Sequence, residues 1–411
     1  MTLRHKRLGV RSVLALCAAW GTLAGATLVG AAPAEALPGA TRIAPGVTYR
    51  HYDIQAAKGL THAHVLSVDL RDRRIRVDLL YPGAVAARGT VSRLAETQGA
   101  VAGVNGDFFN ITEAQHPGVE ATGAAVGPAV TQGRALKAAV PDGQRFGPRL
   151  PPGTNTRNVI GLGTDRRARL DSLSLDGYVG TSEGRLTLGG LNQYALPVGS
   201  VGAFTSTWGS ASRVRATCGT DSDRAAPCST DTYEVTVRHS RVVSTANHPG
   251  SGPIARGTTV LVGREAGAQR LRKLAKGAAV TVWHRLVASS SWIPYRFALG
   301  GYPVLRGGRP LPGLDDAASA VRTAVGIADR GRRLLLFAVD GAPEYRSGLT
   351  IAEVAEALRD LGSAEAFSLD GGGSTTLVAR APGTDAVTVR NHPSGGVERP
   401  VPNGIGVFRA G

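Results

Sequence analysis

The 411-residue chain is short of several things, and each shortage excludes a class of function. Aromatic residues are 5 % of the chain, with no basic stripe interleaved by aromatics, no recognition motif and no basic tail, so a nucleic-acid partner is not expected. Only five of the 47 basic residues are lysines; the arginines are scattered, which suits a surface facing anionic polymers. Beyond Ser12 to Ala34 no segment is apolar enough to span a membrane. Internal repeats are absent, as are low-complexity linkers outside Ala31 to Ala40. Helical periodicity is sparse too, confined to Ser92 to Gln98, Ala268 to Leu274 and Thr350 to Leu361.

What is present begins with a leader. Arg4, Lys6, Arg7 and Arg11 precede the uncharged run, and Ala34-Glu35-Ala36 supplies a small-x-small cleavage site, so residues 1–36 read as a secretory signal peptide. The run is long for that role, and an uncleaved N-terminal anchor is the second reading. A lipidation box at Cys17 is excluded by the bulk of Leu16 before it. Removing residues 1–36 takes away four basic side chains and Glu35, which leaves a formal charge of +13. Of the three cysteines, Cys218 and Cys228 then remain, bracketing turn-forming residues; export predicts a disulfide, contributing about 2–3 kcal/mol by loop-closure entropy. The expected location is secreted or envelope-associated.

The residues that point to chemistry lie near the C-terminus. Phe367-Ser368-Leu369 reads as a strand that delivers Asp370 into Gly371, Gly372 and Gly373, followed by Ser374 and Thr375. Consecutive glycines can turn their amides toward an anion. Leu334 to Val339 reads as a buried strand ending in Asp340-Gly341, and Thr350 and Glu353 form a capping box for the helix between the two strands. Such a crossover predicts parallel strands whose acids emerge at one sheet edge, about 4.8 Å apart as neighbours or twice that with one strand between. Thr323 to Ala328 pairs with the strand to Val339 through the turn 329–332, which sets Arg322 opposite Val339 and next to Asp340. Arg322 and the glycine amides are therefore expected to hold a phosphate.

Four tempting patterns are set aside. Thr375 to Ala379 after the glycines reads as a strand, whereas phosphate loops of nucleotide-binding proteins feed a helix. Gly180-Thr181-Ser182-Glu183-Gly184 precedes another strand, and a nucleophile elbow needs a helix. His62 and His64 share a strand face without partner ligands at metal spacing, and Asn110-Ile111-Thr112 is a turn rather than a glycan acceptor. Asp107, Asp340 and Asp370 leave a divalent cation open, but their spacing matches no loop motif, so no cofactor is predicted.

Six blocks in order resemble the phosphodiester glycosidases: Val104 to Phe109, Ala298 to Leu305, Arg322 to Gly326, Val339 to Gly341, the Asp370 glycine run, and Val401 to Gly406. The segments 141–175 and 218–228 carry no motif of that family. The resemblance implies hydrolysis of the C1–O bond of a sugar-1-phosphodiester, with Asp370, Asp340 and Arg322 catalytic and Asn105, Asp107 and Asn403 beside the substrate. Its partner would be a phosphate-bearing glycan or anionic envelope polymer. The expected fold is α+β: a strand-rich mixed sheet with a βαβ unit near the C-terminus, a strand-rich segment 37–89 and a catalytic domain 90–411 with a long β-rich middle, 111–297. A glycan-binding protein without turnover, or a phosphodiesterase cutting P–O, are the alternatives.

Overall fold

The computed structural model describes residues 39–345, 347–381 and 383–410; the expected leader lies outside them. Residues 37–411 cluster as one compact unit. The α+β class holds, with three short helices among the described residues, Val91–Gln98, Ala266–Leu271 and Ile351–Asp360, against three sheets.

The eight-stranded sheet is organised around Thr323–Ala328 and Arg333–Val339, whose residues are almost all buried. The two form the expected hairpin, Ala328 opposite Arg333 and Thr323 opposite Ala338. Glu365–Ser368 pairs with the other side of Thr323–Ala328, so the strands preceding Asp340 and Asp370 run parallel with one strand between them. Their backbones are therefore about 9.6 Å apart. Gly59–Asp69 flanks Arg333–Val339, and Val47–Ala56 and Thr41–Ala44 follow, so segment 37–89 supplies three strands of this sheet.

Both faces of the central strand are covered, which is why its sequence is continuously apolar. On one face the helix Ile351–Asp360 packs through Ile351, Val354, Ala355 and Leu358. Gly326 makes room for it: a Cβ there would lie 2.1 Å from Ser363 Oγ and 3.2 Å from Leu358 Cδ2. Thr350 caps the helix, and Glu353 closes the capping box, an arrangement worth about 1 kcal/mol. On the other face lies a five-stranded sheet, ordered Val387–Val389, Leu377–Arg380, Ala100–Asn105, Gly404–Arg409, Ile75–Leu80. Thr323 Oγ1 donates to Asn105 Oδ1 at 2.8 Å across the two sheets.

The middle of the chain builds an eleven-stranded sheet from segments between Ala129 and Gly300. Cys218 and Cys228 are joined as a disulfide in its long connection. Gly184–Leu191 is a strand, so the Ser182 pattern is a hairpin turn. Asn110 is fully buried, its side chain held by Thr112 O, Glu113 and Thr122, and so is closed to glycosylation.

Candidate active site

Asp340 and Asp370 leave the same edge of the eight-stranded sheet, and the segment His392–Ser394 touches the surroundings of both. His392 N donates to Asp340 Oδ1 at 2.6 Å, its Nδ1 lies 3.0 Å from either carboxylate oxygen, and Ser394 Oγ donates to Gly372 O at 3.2 Å. The fit is tight at Gly341, where a Cβ would sit 2.6 Å from Ser394 N.

Asp340 is 1 % exposed and carries a second imidazole, His64 Nε2, 3.4 Å from Oδ2. Tyr49 Oη lies 2.8 Å from His64 Nδ1, which builds a chain from tyrosine to histidine to carboxylate. Strand alternation makes this possible: Tyr49, His51, His62 and His64 come from paired positions on one face. Burial alone would raise the Asp340 carboxyl, but the His64 and His392 hydrogen bonds hold it far below the usual carboxylate range. Burial pushes His64 down, against the opposing pull of Asp340, whereas the exposed His392 is raised by its bond to Asp340.

Asp370 is in the opposite condition. Desolvation pushes its carboxyl up to about 6; the Asp107 carboxylate adds to the rise, while Ser374, Arg399 and the Gly371 N–H oppose it. Asp107 is 2 % exposed, with Oδ2 accepting from Gly127 N at 2.6 Å and Oδ1 without a partner. Burial raises Asp107 and lowers the neighbouring Lys137, whose Nζ donates to the carbonyls of Val126, Gly127 and Ala138. Asp107, Asp340 and Asp370 do not bring their oxygens within metal-ligand range of one another among the described residues. The group that does converge, His116 with Cys218 and Cys228, has its sulfurs joined to each other.

The anion-binding assignments change. Arg322 sits opposite Val339 as the hairpin register requires, with Val339 N donating to Arg322 O at 3.0 Å. Its guanidinium, however, turns away from both acids and donates to Leu349 O at 2.9 Å and Ala318 O at 2.6 Å. The glycine nest is also largely spent internally. Gly371 N donates to Asp370 Oδ1 at 3.0 Å and Gly372 N to Val321 O at 2.7 Å, while Ser374 N and Thr375 N close a short helical turn.

Two other arginines face the acids. Arg145 feels Asp107 and Asp370, lies 4.4 Å over the Phe108 ring and 5.4 Å from that of Tyr302, and has a buried Nη2 without a partner. Arg399 Nη1 donates to Ser374 Oγ at 3.3 Å, and a Cβ on Gly373 would strike its Nη2 at 2.4 Å. Ser374 and Thr375 are fully buried, with Thr375 Oγ1 unpartnered.

Asn105 and Asn403 hold the backbone of the acid-bearing segments. Asn105 Nδ2 donates to Asp370 O at 2.7 Å, and its Oδ1 also accepts from Thr376 N at 3.1 Å. Asn403 Oδ1 accepts from Asp107 N at 2.9 Å. Sequence reasoning missed Arg145, Arg399, His392 and the pairing of His64 with Asp340. Of these only His64 left a trace, its shared strand face with His62. Clefts of about 570 Å³ beside Tyr81 and Arg93 and about 710 Å³ beside Trp292 are lined by none of these residues.

The model of one family, described as phosphodiester glycosidase, matches residues 231–408, which include Asp340, Asp370, His392 and Arg399. The mouse N-acetylglucosamine-1-phosphodiester alpha-N-acetylglucosaminidase is 51 % identical over 59 residues, 14 % of this chain and 11 % of that protein. A hypothetical protein from Synechocystis has a similar structure, with a TM-score of 0.67 at 20 % identity over 89 % of this chain and 62 % of the other. A protein of Burkholderia pseudomallei gives a TM-score of 0.63 at 23 % identity, covering 85 % of this chain and 74 % of the other. At these identities the two structures speak to the fold alone. Together with the ordered sequence blocks, the comparisons give the chain a family-level resemblance to the phosphodiester glycosidases.

Proposed function

We propose that the protein is a secreted hydrolase that cleaves the glycosidic C1–O bond of a sugar-1-phosphodiester on an anionic glycan, releasing free sugar and a phosphomonoester. The observation that carries this reading is the divergence of two carboxyls at one sheet edge: Asp370 is raised to about 6 and Asp340 is held far below the usual range. Pairs of acids separated in this way mark proton donor and fixed anion. Asp370 then protonates the bridging oxygen as the bond breaks. Asp340, anionic throughout the working range, offers negative charge to the oxocarbenium-like carbon and keeps His392 oriented.

A phosphate leaving group needs less acid assistance than a sugar alcohol and more stabilisation of the departing charge. Arg145, with a buried N–H free for a ligand, and Arg399, held above Gly373, are the groups we assign to that task. A bidentate guanidinium suits phosphate oxygens.

The histidine pair on Asp340 favours a second reading, attack at phosphorus with imidazoles as acid and base. One experiment separates the two. A hexosamine-1-phosphoryl ester is hydrolysed in ¹⁸O-labelled water and the phosphomonoester is weighed by mass spectrometry. The glycosidase leaves phosphate unlabelled, because water oxygen ends on C1. Label on phosphorus overturns the C–O assignment and transfers the chemistry to His64 and His392.

A further inference from the structure

Eight large hydrophobic side chains are exposed among the described residues, and four of them fall between residues 283 and 293: Trp283 at 39 %, Val287 at 39 %, Trp292 at 100 % and Ile293 at 37 %. A scatter of single exposed apolar residues is ordinary; a concentration of this kind is not. The strand Thr281–Ala288 pairs only with Ala168–Thr181, and its alternate residues Trp283, Arg285 and Val287 point outward together. The loop that follows carries Trp292 and Ile293, which border the same cleft of about 710 Å³ as Arg285 and Val287.

Cations frame this patch. Arg285 lies 5.4 Å from the Trp283 ring, Arg185 stacks at 4.3 Å on Tyr178, itself stacked on Trp283, and Arg134 stands on the rim of the cleft. The facing acid, Asp176, is engaged by Arg285 Nε at 2.9 Å. The chain as a whole carries a formal charge of +16.

We propose that this face docks on an anionic lipid surface, Trp292 and Ile293 entering the headgroup boundary while Arg134, Arg185 and Arg285 meet the lipid charge. Tryptophan is favoured at such boundaries, where its ring is half apolar and its N–H reaches water, and basic residues beside it add electrostatic attraction. A glycan would ask for different neighbours. Sugar hydroxyls need carboxylate and amide partners beside an aromatic platform, whereas the cleft beside Trp292 is lined by no carboxylate or side-chain amide, its polar side chains being Arg134, Arg285, His284, Ser291 and Tyr295, and the nearby Asp176 is engaged by Arg285. This docking site is independent of the chemistry proposed at Asp370, so either reading can fail without the other.

The test uses residues 37–411, which form a compact unit, so that the apolar leader does not contribute. Vesicles of phosphatidylglycerol and phosphatidylcholine in equal parts, and of phosphatidylcholine alone, are floated with the protein in low salt. The expected result is flotation with the anionic vesicles only, with a blue shift of tryptophan emission. Trp208 is fully buried and gives a constant background. Trp292→Ala, at a fully exposed position that folding does not depend on, lowers partitioning at least tenfold and removes most of the shift, Trp283 reporting any remainder; Arg134→Gln with Arg285→Gln weakens partitioning at least as much. Undiminished flotation of Trp292→Ala, or flotation of the wild type with anionic vesicles and no emission shift, overturns lipid docking in favour of plain polyanion attraction. Absence of binding to either vesicle overturns it outright.

Discussion

Asn105 donates its side-chain amide to the backbone carbonyl of Asp370 at 2.7 Å, and with its oxygen it accepts from Thr323 and Thr376. One fully buried side chain thus ties the five-stranded sheet, the central hairpin and the glycine turn into a single frame. Asn105→Ala strands several buried groups at once, each costing about 1–3 kcal/mol when left unpaired. The denaturant midpoint should fall accordingly with an unchanged slope, and turnover should drop because Asp370 loses its frame. An unshifted midpoint would show that water replaces the amide and that the frame does not depend on it.

Asp370 makes a prediction in pH. A proton donor works in its protonated form, and the Asp370 carboxyl is raised to about 6, so activity is present below that value and falls about tenfold per unit above it. The limb contributed by Asp340 lies far lower, since its carboxyl is depressed. Asp370→Asn should remove the limb near 6 and lower kcat at least 10²-fold, read from kcat/KM profiles of both proteins. Stability follows the same sign. A raised carboxyl stabilises the fold below its unfolded value and loses that contribution as pH rises through 6, so the Asn variant should resist denaturant relatively better at pH 8 than at pH 4. A limb that persists in the variant assigns the proton to another group, Asp107 first.

The part of this site legible in the sequence is the part that backbone geometry dictates. Strand period and turn length fix the hairpin register, so Arg322 does fall opposite Val339, and the crossover does bring Asp340 and Asp370 to one edge. Side-chain direction is another matter. Arg322 turns to the carbonyls of Ala318 and Leu349, acceptors supplied by a loop that no local pattern positions. Glycine permits a nest of free amides, but permission is not occupancy: Asp370 and Val321 consume those of Gly371 and Gly372. Arg145 was invisible for a further reason. It sits between Gln144 and Phe146 in a stretch without strand or helix period, and its place is set by contacts with residues 220–224, more than seventy positions away.

The exchange of arginines is directly testable. Arg145→Ala should lower kcat/KM on a phosphodiester substrate at least 10²-fold while changing stability by only about 1 kcal/mol, because Nη2 has no protein partner and the carbonyl that Nη1 leaves, Pro148 O, is on an exposed residue that water can reach. Arg322→Ala should do the reverse, destabilising by about 1–3 kcal/mol through the loss of two carbonyl partners and touching turnover only modestly. Equal kinetic damage from both substitutions would return Arg322 to the site and contradict the direction of its side chain.

The disulfide loop supplies the last test, since its residues grip the segment that carries Arg145. Gly143 N donates to Asp221 O at 2.9 Å, Gln144 Nε2 to Thr220 O at 2.5 Å and Asp223 O at 3.2 Å, and Arg224 Nη1 to Arg145 O at 2.7 Å. Arg224 also lies 4.1 Å over the Phe146 ring, and the buried Arg215 holds Gln144 Oε1 at 2.9 Å. Opening the loop by Cys218→Ser with Cys228→Ser should cost about 2–3 kcal/mol of stability by loop entropy. If that were its whole effect, activity measured well below the unfolding transition would be unchanged. Positioning of Arg145 predicts instead a loss of kcat/KM in the folded variant, and a loss that nearly vanishes when Arg145 is already alanine, because the loop then has no guanidinium to place. A double-mutant cycle over the wild type, the cysteine variant, Arg145→Ala and their combination reads this coupling directly. Additive losses would leave the disulfide as general bracing and separate residues 218–228 from the chemistry.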